Sequence, residues 1–194
     1  INRLASASLS HVNSLCETPD GRLIIGERDG IYVYDGVDCM KLDDISEIIF
    51  NLTPNGIVFD DQGKLWIGTY GLGIYIFDKD MKLVTRLDSA KGFVSNAILQ
   101  LFKDSKGGIW IAGQDELGYV EDTTRPENYV NYGYESGLDD VHIRAVAEDK
   151  NGDIWIALNN GLARLSRKSG KFDNYDYNYG IPQSSFLERS VILM

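Results

Sequence analysis

The apolar residues of this chain come in short runs separated by turns rich in Asp, Asn and Gly. Runs such as Leu65-Trp66-Ile67-Gly68 and Leu99-Gln100-Leu101-Phe102 are apolar on both faces, whereas a strand with one side in water alternates apolar and polar residues. They predict short strands covered on both sides. The long apolar stripes that helical repeats require are missing.

The pattern also recurs. The stretch Val146 to Leu165, VAEDKNGDIWIALNNGLARL, returns three more times, with its turn glycine at Gly21, Gly63, Gly107 and Gly152, in steps of 42, 44 and 45 residues. Three residues after each glycine stands Ile24, Trp66, Trp110 or Trp155, and two further on Gly26, Gly68, Ala112 or Ala157. Three residues before it stands Thr18, Asp60, Asp104 or Asp149. A period of about 40 to 45 residues with four short strands per unit is that of a β-propeller blade. The expected fold is all-β: four antiparallel four-stranded propeller blades of about 44 residues, forming part of a larger propeller within a single domain. Blades are placed at about 11–43, 56–88, 97–132 and 142–176, with 186–194 starting a further one. The recurring Trp is expected to fill the space between blades, and the small residue two positions on to leave room for a neighbour.

Charge and composition narrow the partners. Nineteen Lys and Arg against 29 Asp and Glu give a net charge of −10, which repels polyphosphate and anionic membrane surfaces, so neither nucleic acid nor direct membrane contact is expected. No run approaches the roughly 18 apolar residues of a spanning helix. The opening INRLASASLS lacks the features of a signal peptide and reads as the interior of a longer protein. Cys16 and Cys39 form no C-x-x-C pattern; two free thiols are expected, with one disulfide as the alternative.

The stretches FDDQGKLWIGTYGLGIYIFD, FKDSKGGIWIAGQDELGYV and EDKNGDIWIALNNGLARLSRKSGKFDNY resemble the two-component regulator propeller repeat. The resemblance covers about Val12 to Tyr175 and reaches NYGIPQSSF, which is similar to the connection between such blades. The first blade departs from it, with Thr18 for the acid and Ile24 for the Trp, so its membership rests on spacing and Gly21. The resemblance implies a periplasmic sensor region of a membrane-anchored hybrid two-component signalling protein with a histidine kinase, of a kind many of which respond to oligosaccharides.

Candidate chemistry is sparse. The two histidines, His11 and His142, each begin the inner strand of a different blade, where a rim position is expected. There is no G-x-S-x-G elbow, H-E-x-x-H helix or Gly-rich phosphate loop. Asp149-Lys150-Asn151-Gly152-Asp153 has the oxygen-rich look of a calcium loop but lacks its closing Glu, so a hairpin turn is expected. Neither metal nor cofactor is expected, and the region reads as non-catalytic. The alternatives are a propeller enzyme resembling virginiamycin B lyase, or a scaffold that docks proteins.

Strand direction indicates where a ligand would sit. In each blade the first turn lies on one face, and the second turn returns to the face that carries the blade connections. Candidates on the connection face are Arg28, Asp29, Tyr70, Gln114, Asp115, Asn159 and Asn160 from the second turns, with His11, Asn96, Asp140 and Ser185 from the connections. Amides, carboxylates and an aromatic ring suit an oligosaccharide, whose hydroxyls seek planar hydrogen-bond partners and whose ring face stacks. Four blades fall short of the seven usual for propellers of the resembling kind, and the outermost faces are expected to expose Val12, Leu15, Ile156 and Leu158. A homodimer covering them, or a tight closure using the last strand, is the expected answer.

Overall fold

The computed structural model describes residues 9, 11–93, 95–181 and 186. It contains four antiparallel four-stranded sheets, each built from strands consecutive in sequence. The first holds β1 (Val12–Glu17), β2 (Leu23–Glu27), β3 (Gly30–Tyr34) and β4 (Cys39–Lys41); the second holds β5 (Pro54–Phe59), β6 (Leu65–Thr69), β7 (Gly73–Phe77) and β8 (Leu83–Leu87). The third holds β9 (Ile98–Lys103), β10 (Ile109–Gly113), β11 (Glu116–Val120) and β12 (Val130–Tyr132), and the fourth β13 (Ile143–Glu148), β14 (Ile154–Leu158), β15 (Gly161–Leu165) and β16 (Phe172–Tyr175). These are propeller blades. The chain divides between Leu101 and Phe102 into two compact units, each with its own core. The expected strand at 186–194 lies, apart from Phe186, outside the described residues.

The register glycine has a conformational cause. Gly21, Gly63, Gly107 and Gly152 all have φ between 76° and 85°, the left-handed region that a side chain disfavours. Each donates its N–H to the carbonyl three residues back, closing the first hairpin of its sheet. The residue at that carbonyl explains the rest of the motif. In the second, third and fourth sheets it is Asp60, Asp104 or Asp149, whose Oδ1 accepts the backbone N–H groups two and four residues on at 2.8–3.1 Å. The other oxygen, Oδ2, accepts the indole N–H of Trp66, Trp110 or Trp155 at 3.0 Å. One carboxylate thus closes the turn and orients the ring packed beneath it. With both oxygens of Asp149 so committed, the segment from Asp149 to Asp153 is a hairpin turn. In the first sheet Thr18 takes over only the turn: its Oγ accepts the Arg22 N–H at 2.8 Å, and Ile24 has no indole to hold.

Packing within each unit follows from this. In the first unit Ile24, Ile57, Ile67, Tyr75 and Phe77 share one cluster, and the small residue after the Trp position makes the approach possible. A Cβ on Gly26 would stand 2.8 Å from Ile57 Cδ1, and one on Gly68 2.5 Å from Ile98 Cγ2, both inside any real contact. In the second unit Trp110 packs with Ile154, Ile156 and Leu158. Ile156 and Leu158 are therefore buried, not on an uncovered face as expected. Strand alternation aims them at the third sheet, while Trp155, one residue out of phase, occupies the opposite face of β14. There Trp155 is only half-buried, stacked on Tyr175 at 5.7 Å and beneath Arg164, so it is not equivalent to the fully buried Trp66 and Trp110. On the first sheet Val12 and Leu15 are exposed as expected, Leu15 at 60%.

Two further features sit between sheets. A short helix, α1 (Asp43–Ile48), follows β4, with Asp43 and Asp44 in its first turn, where the backbone N–H groups favour negative charge, and with Ile45 and Ile49 buried one turn apart. After the other three sheets the chain makes a 3-10 turn, Ser89–Lys91, Tyr134–Ser136 or Tyr177–Tyr179, ended by a left-handed glycine, Gly92, Gly137 or Gly180. Cys16 and Cys39 are both free thiols.

Candidate functional site

The turns that close the first hairpins have little left to offer a ligand. In the second unit they are tied together: Glu148 accepts the Ser105 N–H and hydroxyl, both at 2.7 Å. The Arg167 guanidinium pairs with Asp104, donates through Nε to the Gly152 carbonyl at 3.1 Å, and lies over the Trp110 and Tyr119 rings. Burial alone would raise the Asp104 carboxyl, but Arg167 and the Trp110 indole outweigh it and hold the group below the usual carboxylate range.

The opposite end of the second unit holds a cavity of about 750 Å³, within the size range of small-ligand sites. Its walls come from the β14–β15 hairpin (Asn159 and Asn160), the connection into β13 (Asp139, Asp140 and His142), and the 3-10 turns that carry Tyr134 and Tyr177. These turns are pinned. Asn174 donates to the Gly137 carbonyl at 2.8 Å, and Asp176 accepts both the backbone and side-chain N–H groups of Asn178 at 2.9 and 2.8 Å. The rings they carry nevertheless stand in solvent, Tyr134 63% and Tyr177 60% exposed.

At the floor, Asp140 is only 8% exposed. Its Oδ1 accepts the His142 N–H at 3.0 Å and lies 2.7 Å from the ring Nδ1, while the His142 Nε2 is 3.5 Å from Asp115. Its Oδ2 is buried without a hydrogen-bond partner. Burial opposes ionisation of Asp140, but the bonds from His142, joined by the Asn160 backbone N–H, win and hold its carboxyl below the ordinary range. Asn159 donates its backbone N–H to the His142 carbonyl at 3.0 Å and accepts from Arg144 Nη2 at 3.1 Å. That fixes the side-chain amide so that its nitrogen is left for a ligand.

Of the residues marked by sequence, Asp115, Asp140, Asn159 and Asn160 come together around His142 in the second unit. Gln114, beside Asp115, is exposed and does not line the cavity. In the first unit the His11 N–H bonds Glu27 at 3.0 Å, next to exposed Arg28, while Asp29 accepts the Tyr32 hydroxyl and lies 3.8 Å from Lys41. Tyr70 stands 52% exposed, its backbone bonded to Thr53. Asn96 is a structural cap: its side chain bonds Ser89 at 2.9 Å and its carbonyl accepts from Gly71 and Gly73. Ser185 lies outside the described residues. Tyr134 and Tyr177, the aromatic walls, were missed, although a signal existed: each stands three residues before a connection glycine, Gly137 or Gly180. Among the described residues no group of three or more His, Cys, Asp or Glu side chains is placed to hold a metal ion, and no helix is long and apolar enough to cross a membrane.

Comparison with known proteins bears on this architecture. The sequence model of the two component regulator propeller matches residues 49–71, 92–115 and 137–160, each running up to or into the second hairpin of a sheet and leaving the first sheet unmatched. The extracellular domain of the hybrid two component system BT3049 from B. thetaiotaomicron is 32% identical, with a TM-score of 0.82 over 92% of this chain and 24% of that one. PorZ, a surface component of the type-IX secretion system of Porphyromonas gingivalis, is 16% identical with a TM-score of 0.61, over 82% of this chain and 25% of that one. Virginiamycin B lyase from Staphylococcus aureus is 24% identical with a TM-score of 0.50, over 64% and 41%. These last two likenesses concern the fold alone. The chain spans about a quarter of the length of the first two proteins.

Proposed function

We propose, on the premise that the second, third and fourth sheets carry the two component regulator propeller repeat, that this chain is part of the periplasmic sensor region of a hybrid two-component signalling protein and binds an oligosaccharide there without transforming it. The likeness to the extracellular domain of a hybrid two component system supports the sensor setting. The ligand class rests on one observation: the cavity of the second unit joins two solvent-facing tyrosines to a fixed amide and a buried carboxylate with a vacant acceptor. Sugars present an apolar ring face and a set of hydroxyls, and this wall offers a partner to each. The test is titration of the chain with a panel of oligosaccharides, repeated on Asn159→Ala and Tyr177→Ala. The reading expects saturable binding that falls at least tenfold in both variants; the absence of any bound saccharide would overturn it.

A second reading, catalysis, draws on the Asp140–His142 pair, since a carboxylate that orients an imidazole is how general bases are set. Against it, the nitrogen that would act, Nε2, faces the carboxylate of Asp115 at 3.5 Å. Incubation of bound glycans with the chain, followed by chromatography, separates the two readings: release of a shortened or unsaturated product, abolished in His142→Ala, would establish the second.

A further inference from the structure

The cavity of the second unit carries Asp139, Asp140 and Asp176, and neither a lysine nor an arginine lines it. Its one basic side chain, His142, lies between Asp140 and Asp115. We propose, resting on the saccharide reading above, that this cavity selects neutral or amine-bearing sugar units and rejects uronate and sulfated ones. The acidic lining gains meaning from Asp140, whose Oδ2 is buried at the floor and has no hydrogen-bond partner. A buried carboxylate oxygen left without a donor is costly, so a ligand that brings a donor is favoured. A sugar hydroxyl or ammonium supplies that donor; a carboxylate or sulfate supplies only acceptors and adds like charge. Neither nearby arginine lines the cavity: Arg164 Nη2 pairs with Asp173 at 2.7 Å, and Arg144 Nη2 is taken up by the Oδ1 of the wall residue Asn159. The chain's net charge of −10 acts in the same direction.

The test compares matched oligosaccharides on the 194-residue chain: galacto-oligosaccharides against oligogalacturonides, chitosan oligomers against heparin-derived ones, and a wider glycan array with the same charge classes. The neutral or amine-bearing members should bind, and the acidic members should bind at least tenfold more weakly. That is roughly the effect of one unit charge about 10 Å away at an effective dielectric near 20. Asp140→Asn should narrow the gap, and Asp139→Asn, an exposed position, provides the same readout if the first variant fails to fold. Preferential binding of an acidic glycan, or a gap that the variants leave unchanged, would overturn the charge selection while leaving the saccharide reading intact. Failure of every glycan to bind would overturn both.

Discussion

In the second, third and fourth sheets the first hairpin is closed by Asp60, Asp104 and Asp149, with matching bonds to two backbone N–H groups and one indole. The second hairpins of the same sheets carry Tyr70-Gly71-Leu72, Gln114-Asp115 and Asn159-Asn160, with no shared side-chain chemistry. The first hairpins are the scaffold end of these sheets. Where the motif repeats, its polar atoms are spent on the chain itself, and a residue so committed has nothing left for a ligand. The blade connections carry the exposed rings of Tyr134 and Tyr177 and, at Asp140, a vacant acceptor.

The largest effect expected from this contrast comes from Asp104→Ala, which frees the Trp110 indole, opens the turn and strands Arg167 beside a lost partner. Breaking one side of a buried pair costs about 3–5 kcal/mol, and denaturant unfolding should show a loss of that size. Trp110→Ala should cost a similar ~3–5 kcal/mol through the void it leaves in the core, and Trp155→Ala clearly less, because that ring is only half-buried. If the two tryptophans cost the same, the distinction between their faces is wrong.

Acid should act on the scaffold end. Asp104 and Asp149 both titrate below the ordinary carboxylate range, Asp104 against its own burial through Arg167 and Trp110, Asp149 chiefly through the Trp155 indole. A depressed folded-state value means that the unfolded chain binds protons first. The stabilisation is therefore complete above the unfolded value near 3.9 and is lost as pH falls through the lower folded values. Melting temperature should accordingly drop below about pH 4, and Asp104→Asn should flatten that drop. In the first sheet the effect is smaller: Thr18→Ala removes one acceptor of the Arg22 N–H and should cost about 1 kcal/mol by denaturant unfolding, well under the cost of Asp104→Ala.

How far the sequence carried these conclusions depended on whether a feature repeats. The turn glycines, the Trp positions and the strands were legible because each recurs at fixed spacing, and recurrence separates a conformational requirement from chance. The clamp between Asp104 and Trp110 was visible as spacing, but its meaning was not, because a pattern of letters does not show where two side chains meet. The helix α1 was not anticipated: it occurs after one sheet only, and its six residues fall short of the roughly 11 to 18 over which a helical pattern can be recognised. The burial of Ile156 and Leu158 was misread because apolar character on both sides of β14 hides which face is outward. Of the candidate ligand residues, Asp115, Asp140 and Asn159 meet at one place, whereas Asn96 was indistinguishable from them by type and is bound up in the backbone of its own connection.

The central claim is that ligand chemistry belongs to the connection end and stability to the turn end. It is tested most directly by calorimetric titration of one oligosaccharide into two variants, Asn159→Ala at the cavity and Lys150→Ala in the first hairpin of the same sheet. Lys150 is exposed, so Lys150→Ala should keep its unfolding free energy within about 0.5 kcal/mol of the parent. Asn159→Ala removes the acceptor of Arg144 Nη2 and should cost about 1–2 kcal/mol while leaving the chain folded. Affinity should fall at least tenfold in Asn159→Ala and stay unchanged in Lys150→Ala; equal losses in the two would show that the ligand does not belong to the connection end.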